Sequence, residues 1–314
     1  VLKRVVSDMN ASYFPTDTIV PSTEVVHDRV TLELFRGCIR GCRFCQAGYA
    51  YRPVRAKDPK VALEQGIAAC KDSGYQEMTL SSLSTSDYKR LMQRMQAVRK
   101  SGLTFAPEAG TQRLRDAINK NVTEEDLMQS CRTAFSGGWT SVKLYFMLGL
   151  PTETDEDVLG IADLAKKVVQ CGKAHSANPH RVHVTVSTAC FVPKPHTAFQ
   201  WEAQVDMDEY MRRVTLLREN MRDRSISYNW HDPDTSFLEA VFARGDRRLG
   251  RAIEEAWRRG AKFDSWSEYF DLSRWLKTFE DCGIDPHFYA NRVREDNEVF
   301  PWEVTSTGVT RAFL

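Results

Sequence analysis

Phe35-Arg36-Gly37-Cys38-Ile39-Arg40-Gly41-Cys42-Arg43-Phe44-Cys45 sets three thiols within eight residues at C-x3-C-x2-C spacing, with a glycine before each of the first two. On a helix, positions i, i+4 and i+7 would share one face, giving a cysteine-lined apolar stripe. Gly37 and Gly41 disfavour helix, and Arg40 and Arg43 are not core formers. A glycine-rich loop instead lets the backbone curl so that three thiolates converge, and converging soft ligands select zinc or an iron–sulfur cluster. A closed structural zinc site takes four ligands, usually two C-x2-C pairs or one pair with histidines. No second pair exists here, and the nearest histidine, His27, lies upstream in a different kind of sequence. Three cysteines on a four-iron cluster leave one iron open to an outside ligand, which suits a catalyst rather than an electron carrier. Iron–sulfur is the preferred reading; zinc and simple packing are its alternatives.

Outward from the loop, Thr31-Leu32-Glu33-Leu34-Phe35 alternates as a strand running straight into the cysteines. Asp58-Pro59 places an N-cap before a proline at the first helical position, and that helix is expected to reach about Cys70 with Gly74 as its stop. Gln76 to Leu80 reads as a strand. Asp87 to Arg99 reads as an amphipathic helix, with Tyr88, Leu91, Met92, Met95 and Val98 on one side. Leu103 to Ala106, Ser141 to Met147 and Val182 to Val186 are the next strands. Capping boxes at Thr123–Asp126 and Thr154–Asp157 open helices between them, the second expected to end at Cys171-Gly172. Strands alternating with helices predict a parallel α/β sheet with right-handed crossovers, as a partial (open) β/α barrel. Functional loops then lie at the carboxyl ends of the strands, where Pro107-Glu108-Ala109-Gly110, Gly149-Leu150-Pro151 and Phe191 to His196 all fall.

The 314 residues suffice for one large domain plus an extension. With 43 basic and 42 acidic residues, no global field directs the chain to nucleic acid or a membrane. Eight cysteines are too few and too unevenly spaced for a secreted disulfide scaffold; Cys70, Cys131, Cys171, Cys190 and Cys282 read as small core residues. The sequence shows no long apolar run and no signal peptide, which implies a soluble cytoplasmic protein with no membrane partner. A reducing cytosol also suits an oxygen-sensitive cysteine trio. From about residue 206 the pattern turns helical, broken by a strand at Ser225 to Trp230. Arg247, Arg248, Arg251, Arg258 and Arg259, with Trp257 and Trp266, invite a nucleic-acid reading. Interspersed Glu254, Glu255 and Asp264 make a solvated helix face the preferred one.

With Phe44 directly before the third cysteine, the loop closely resembles that of the radical S-adenosylmethionine (SAM) superfamily. The resemblance implies a [4Fe–4S] cluster on Cys38, Cys42 and Cys45, with SAM chelated at the open iron and Phe44 beside the cofactor. It further implies reduction by a flavodoxin- or ferredoxin-type donor, giving methionine and a 5′-deoxyadenosyl radical. Ser81 and Ser82 stand where the superfamily binds the methionine amino group; the usual Gly-Gly-Glu is absent, and a serine-rich helix cap is the alternative. Ala106-Pro107-Glu108-Ala109-Gly110-Thr111-Gln112-Arg113 is similar to the Glu-Ser-Gly-Ser-Gln stretch of methylthiotransferases and the anaerobic coproporphyrinogen oxidase. That implies Glu108 on the ribose and Arg113 on the methionine carboxylate. Lys143 to Thr154 resembles the Gly-hydrophobic-Pro-Gly-Glu-Thr motif, which puts Gly149, Leu150 and Pro151 around the adenine. Pro193-Lys194-Pro195-His196-Thr197 resembles the Pro-x-Pro-x-Thr element on the substrate side. His196 and His231 sit beside proline or tryptophan, where packed turn histidines are common, so no catalytic residue is assigned.

Three segments are expected: a leading segment (1–30), a radical SAM core (31–204) and a mainly helical C-terminal extension (205–314). Gly245 to Gly250 and Phe300 to Glu303 are similar to the C-terminal region of a bacterial radical SAM family that carries an N-terminal cobalamin-binding-type domain. Cobalamin belongs to the full-length relatives of that family and is not supported in this chain. Asp285-x-His287-x-x-Ala290 reads as a turn rather than a cobalamin loop. The chain opens at Val1 in mid-phrase, which suggests a piece of a longer reading frame. Asp87 to Gly102 holds little more than one helix where the family has another strand unit, which would open the barrel wall. The expected function is reductive SAM cleavage acting on an unidentified substrate, with methylation or sulfur insertion, and RNA as a substrate, suggested by the subgroup. The alternatives are a non-catalytic iron–sulfur scaffold or RNA-binding adaptor, and a zinc protein.

Overall fold

The computed structural model describes residues 1–23, 28–81 and 103–314. The helix expected over 87–99, and the shortened unit it belongs to, lie outside the described residues. The chain divides into two compact units, one of 1–41, 45–88 and 305–314, the other of 42–44 and 89–304.

In the first unit, β1 (Val30–Glu33) and β4 (Met78–Ser81) pair in parallel, from Val30↔Met78 to Glu33↔Ser81. β2 (Phe35–Arg36) and β3 (Arg55–Ala56) form a short antiparallel ladder around the helical turn α1 (Ala47–Ala50). The single strand expected over 31–35 is thus interrupted at Leu34, whose carbonyl accepts the Lys57 N–H at 2.8 Å. α2 (Pro59–Ser73) begins and ends as its punctuation predicts. The Asp58 side chain accepts from Lys60 N, and Gly74 closes the helix with its N–H on the Cys70 carbonyl. Val30, Leu32 and Ala69 form the buried centre, with Phe14 and Tyr75 against them. Leu2 bridges to Ser306, which joins the two ends of the chain.

The second unit is built on a four-stranded parallel sheet in the order β5 (Leu103–Glu108), β6 (Ser141–Leu148), β7 (His183–Cys190), β8 (Ile226–Trp230). The connections run through α3 (Gln112–Ala117) and α4 (Glu124–Ser136), then α5 (Asp155–His175), then α6 (Met207–Asn220). Strands alternating with helices in parallel register are the α/β class expected of a partial barrel. Both predicted capping boxes form, at Thr123/Asp126 and Thr154/Asp157. On β6, Val142, Leu144, Phe146 and Leu148 are buried in strict alternation.

Three of the differences from the expected boundaries bear on how the second unit packs. α5 continues past Gly172 to His175; a Cβ at Gly172 would lie 2.6 Å from Val182 Cγ1, so this glycine serves close packing rather than termination. β7 runs on to Cys190 because Ser187 and Thr188 are buried in the ladder, Thr188 sharing a hydrogen bond of 2.9 Å with the Tyr228 hydroxyl. β8 pairs with β7 from Val184↔Ile226 to Thr188↔Trp230, so the strand expected within the mainly helical extension joins the sheet.

Four helices follow: α7 (Pro233–Ala243), α8 (Leu249–Arg258), α9 (Leu272–Asp281) and α10 (Pro286–Ala290). They enclose their own core of Phe237, Val241, Ala256, Trp275 and Phe279. The expected turn at 285–290 is the short helix α10, with Asp285 accepting from His287 N. Fully buried Arg244 donates to the carbonyls of Ala290 (2.9 Å) and Arg292 (3.0 Å). On and beside α8, Arg248, Arg258 and Arg259 pair with Asp246, Glu254 and Glu255, as a solvated face does. Among the described residues no helix is long and apolar enough to cross a membrane.

Candidate functional site

The second unit gathers its strand ends into one apolar cluster. Ala109 follows β5, Leu150 follows β6 and Phe191 follows β7; they pack with Leu114, Ile118 and Phe199, and Phe44 and Met147 lie against them. Phe191 and Phe199 meet edge to face at 5.9 Å. The strip 42–44 is held here by Arg43. Its N–H donates to the Ile118 carbonyl (3.0 Å), its guanidinium to the Ala117 carbonyl (2.7 Å), and its own carbonyl accepts the Phe199 N–H (3.0 Å). In the sequence Arg43 is only a polar residue between two cysteines. What it does depends on Ile118 and Phe199, far along the chain, so no local signal marks it.

Glu108 ends β5 at an irregularity in the register and sits at a left-handed φ of 69°, unusual for a side chain of its size. Burial pushes its carboxyl above the ordinary range, against the pull of Lys120, whose ammonium lies 3.0 Å away. Lys120 also stands 6.0 Å from the centre of the Phe44 ring. Glu108, Lys120 and Phe44 therefore form one group of acid, cation and ring.

Arg113, expected on a ligand carboxylate, donates to the Thr152 carbonyl (2.8 Å) and pairs with the buried carboxylate of Asp157. Thr111 also donates to Asp157. These bonds tie the loop after β5 to the start of α5. The same join needs Gly110, because a Cβ there would lie 2.3 Å from the Asp157 carbonyl and 2.4 Å from Ile161 N. Arg115 is 1 % exposed. It donates to the carbonyls of Ala109 (2.9 Å) and Gly110 (3.3 Å), and so sets the turn that carries Glu108.

After β6, Gly149 donates its N–H to Glu153 Oε2 at 2.7 Å and Leu150 is buried. Burial pushes Glu153 up to about 7, opposed by the Gly149 N–H and by its ion-pair partner Arg213. Glu153 lies within the quoted motif, yet its role as the buried brace of that loop was not foreseen. After β7, His196 takes a left-handed φ of 59°, its N–H on Gln200 Oε1 (3.0 Å), and burial lowers its imidazole from the ordinary value.

Residues 67–165 match the radical SAM superfamily. Over that third of its length the chain is similar to radical SAM proteins. An uncharacterized protein of Methanocaldococcus jannaschii is 28 % identical over 281 residues, which cover 81 % of this chain and 60 % of that protein. The chain thus spans about three fifths of the length of this curated relative. A crystal structure of a radical SAM methyltransferase from Sphaerobacter thermophilus superposes with a TM-score of 0.43 at 14 % identity, covering 67 % of this chain and 69 % of the other.

The matched span includes β4, β5, β6 and the Glu108, Arg113 and Gly149–Pro151 positions, and begins after the cysteines. A radical SAM domain implies a [4Fe–4S] cluster and SAM. Cys38, Cys42 and Cys45 are free thiols, the first two buried. Arg40 N–H points to Cys38 Sγ at 3.4 Å, the kind of bond a thiolate ligand accepts. Gly37 has a φ of 105°, and a Cβ there would lie 2.6 Å from the Tyr51 carbonyl, so glycine is required where the loop leaves β2. Three soft donors on such a loop fit the cluster in chemistry and number. Among the described residues, no three His, Cys, Asp or Glu side chains are gathered as ligands of one metal ion. Ser81 is the last residue of β4, opposite Glu33 in register, and Ser82 lies outside the described residues.

Proposed function

We propose that the chain is a radical SAM enzyme holding its cluster on Cys38, Cys42 and Cys45. The observation that supports this best is the apolar cluster at the strand ends of the radical SAM domain, where Phe44, the neighbour of Cys45, packs with Ala109, Leu150 and Phe191. When bound, the reduced cluster supplies the electron that cleaves SAM to methionine and a 5′-deoxyadenosyl radical. The chain's residues bind and orient. Glu108 is the hydrogen-bond acceptor for the ribose, in a turn fixed by Arg115, and Lys120 keeps it from standing as a lone buried charge. Gly149, Leu150 and Pro151 offer backbone and apolar surface to the adenine, braced from behind by Glu153. Arg113 serves the architecture through Asp157, and its remaining N–H groups are the ones offered to a carboxylate. Metal sites seldom exist fully formed before the metal arrives, so the cysteines are drawn together on loading.

Methylation or sulfur insertion rests on the likeness of 106–113 to methylthiotransferases, and the cobalamin-associated subgroup on the motifs at 245–250 and 300–303. The electron donor is of flavodoxin or ferredoxin type. An RNA-binding adaptor is the less favoured reading, since Arg248, Arg258 and Arg259 already carry acidic partners. Anaerobic reconstitution is expected to load about four irons per chain. SAM with a strong reductant is then expected to release 5′-deoxyadenosine. Iron uptake without cleavage would leave a scaffold, and zinc uptake without iron would leave a zinc protein.

A further inference from the structure

The first unit contains a cavity of about 730 Å³ whose lining, Cys38 apart, has none of the roles above. Its walls include Lys3, Cys38, Ile39, Arg52, Val54 and Phe313. The two chain ends close it together, with Lys3 N–H on the Ser306 carbonyl at 3.2 Å. Its size falls within the roughly 300–1,000 Å³ of small-molecule sites, which are mostly apolar with a few placed polar groups.

Positive charge collects beside this apolar space. Lys3 Nζ donates to the Arg52 carbonyl at 2.7 Å, and burial with the neighbouring charges of Arg55 and Arg52 pushes the lysine below its ordinary range. Arg52 Nε is buried without a hydrogen-bond partner. Such a group is destabilising unless something accepts from it. Arg55 is turned to the carbonyls of Pro53, Val6 and Tyr51. Glu33, the acid that feels Arg55, is held in a two-pronged pair by Arg36 at 2.8 Å. Among the described residues, Lys3 and Arg52 form no ion pair with an acid, and both line the cavity.

We propose that this cavity binds an amphipathic organic anion, its acidic head on Lys3 and Arg52 and its apolar body along Ile39, Val54 and Phe313. The site shares Cys38 as a wall, yet the proposal requires no assignment of the cysteines. It is tested on the full chain with two fluorescent probes of matching apolar body, 1-anilinonaphthalene-8-sulfonate and uncharged N-phenyl-1-naphthylamine. The sulfonate is expected to bind at one site per chain, about tenfold or more tighter than the uncharged probe. Lys3→Met and Arg52→Gln should each weaken the sulfonate about tenfold and leave the uncharged probe unchanged, whereas Phe313→Ser weakens both. Retained binding of the uncharged probe reports that a variant is folded; if Arg52→Gln loses both, Lys3→Met decides. Equal affinity for the two probes, sulfonate binding indifferent to the charge variants, or no binding of either would overturn the proposal.

Discussion

β6 and β7 pair over eight residues from Ser141↔His183 to Leu148↔Cys190, and four side chains on β6 are buried in alternation; β1 pairs with β4 over four residues, and the chain leaves β1 through β2 into a loop of glycine, arginine and cysteine. The first arrangement is held by side chains that pack. The second carries thiols whose gathering, on the reading above, awaits an inorganic partner. Order in one region is written in hydrophobic period, and in the other, on that reading, it is lent by a ligand.

Cysteine itself offers the sharpest test, because it occurs in both. Cys42→Ala, like Cys38→Ala or Cys45→Ala, is expected to reduce iron loading and 5′-deoxyadenosine release to background. Cys131 is completely buried in the sheet unit, and burial pushes its thiol up to about 12, so it stays protonated and inert. Cys131→Ala should leave iron content unchanged and lower stability by about 1 kcal/mol. Loss of iron in Cys131→Ala would erase the distinction between the regions.

Glycine makes the next comparison. Gly110→Ala drives a Cβ into backbone that cannot rotate away, and a loss of about 3 kcal/mol or more in urea unfolding is expected. Gly74→Ala, at a φ of 76° with nothing within 4 Å, meets only left-handed strain of about 1 kcal/mol. A similar loss in both would mean that the join between the β5 loop and α5 is looser than its geometry. Arg115→Met comes between them: the Ala109 and Gly110 carbonyls lose a buried donor, for about 2 kcal/mol and a weaker grip on SAM in equilibrium binding.

These residues also mark what the sequence made legible. Caps such as Asp58, Thr123 and Thr154 act on N–H groups two or three residues away, so local chemistry gave them correctly, as alternation gave β6. The strand-end motifs were legible for the same reason, being short strings at predicted boundaries. Gly172 was misread because the atoms that demand it, on Val182 and Phe135, are distant in sequence. Ser225 to Trp230 reads as a strand without naming its partner, because pairing is a property of the whole sheet. Arg43 and Arg115 resemble any exposed arginine until the carbonyls they serve have been folded into place.

The smallest expected effect concerns a slope rather than a stability. An unfolded glutamate titrates near 4.5, whereas burial brings Glu153 up to about 7. Between those values the folded chain binds more protons at this site than the unfolded chain. Its contribution to the unfolding free energy therefore falls as pH rises from about 4.5 to about 7, and levels off above. Glu153→Gln retains an acceptor for the Gly149 N–H and removes the titration, while Glu209 still holds Arg213 Nε at 2.7 Å. Urea midpoints at pH 5 and pH 7.5 should then differ less in the variant than in the wild type. An unchanged difference would mean that Arg213 keeps Glu153 ionised throughout, so that the loop after β6 is braced by an ion pair at every pH where the protein is folded.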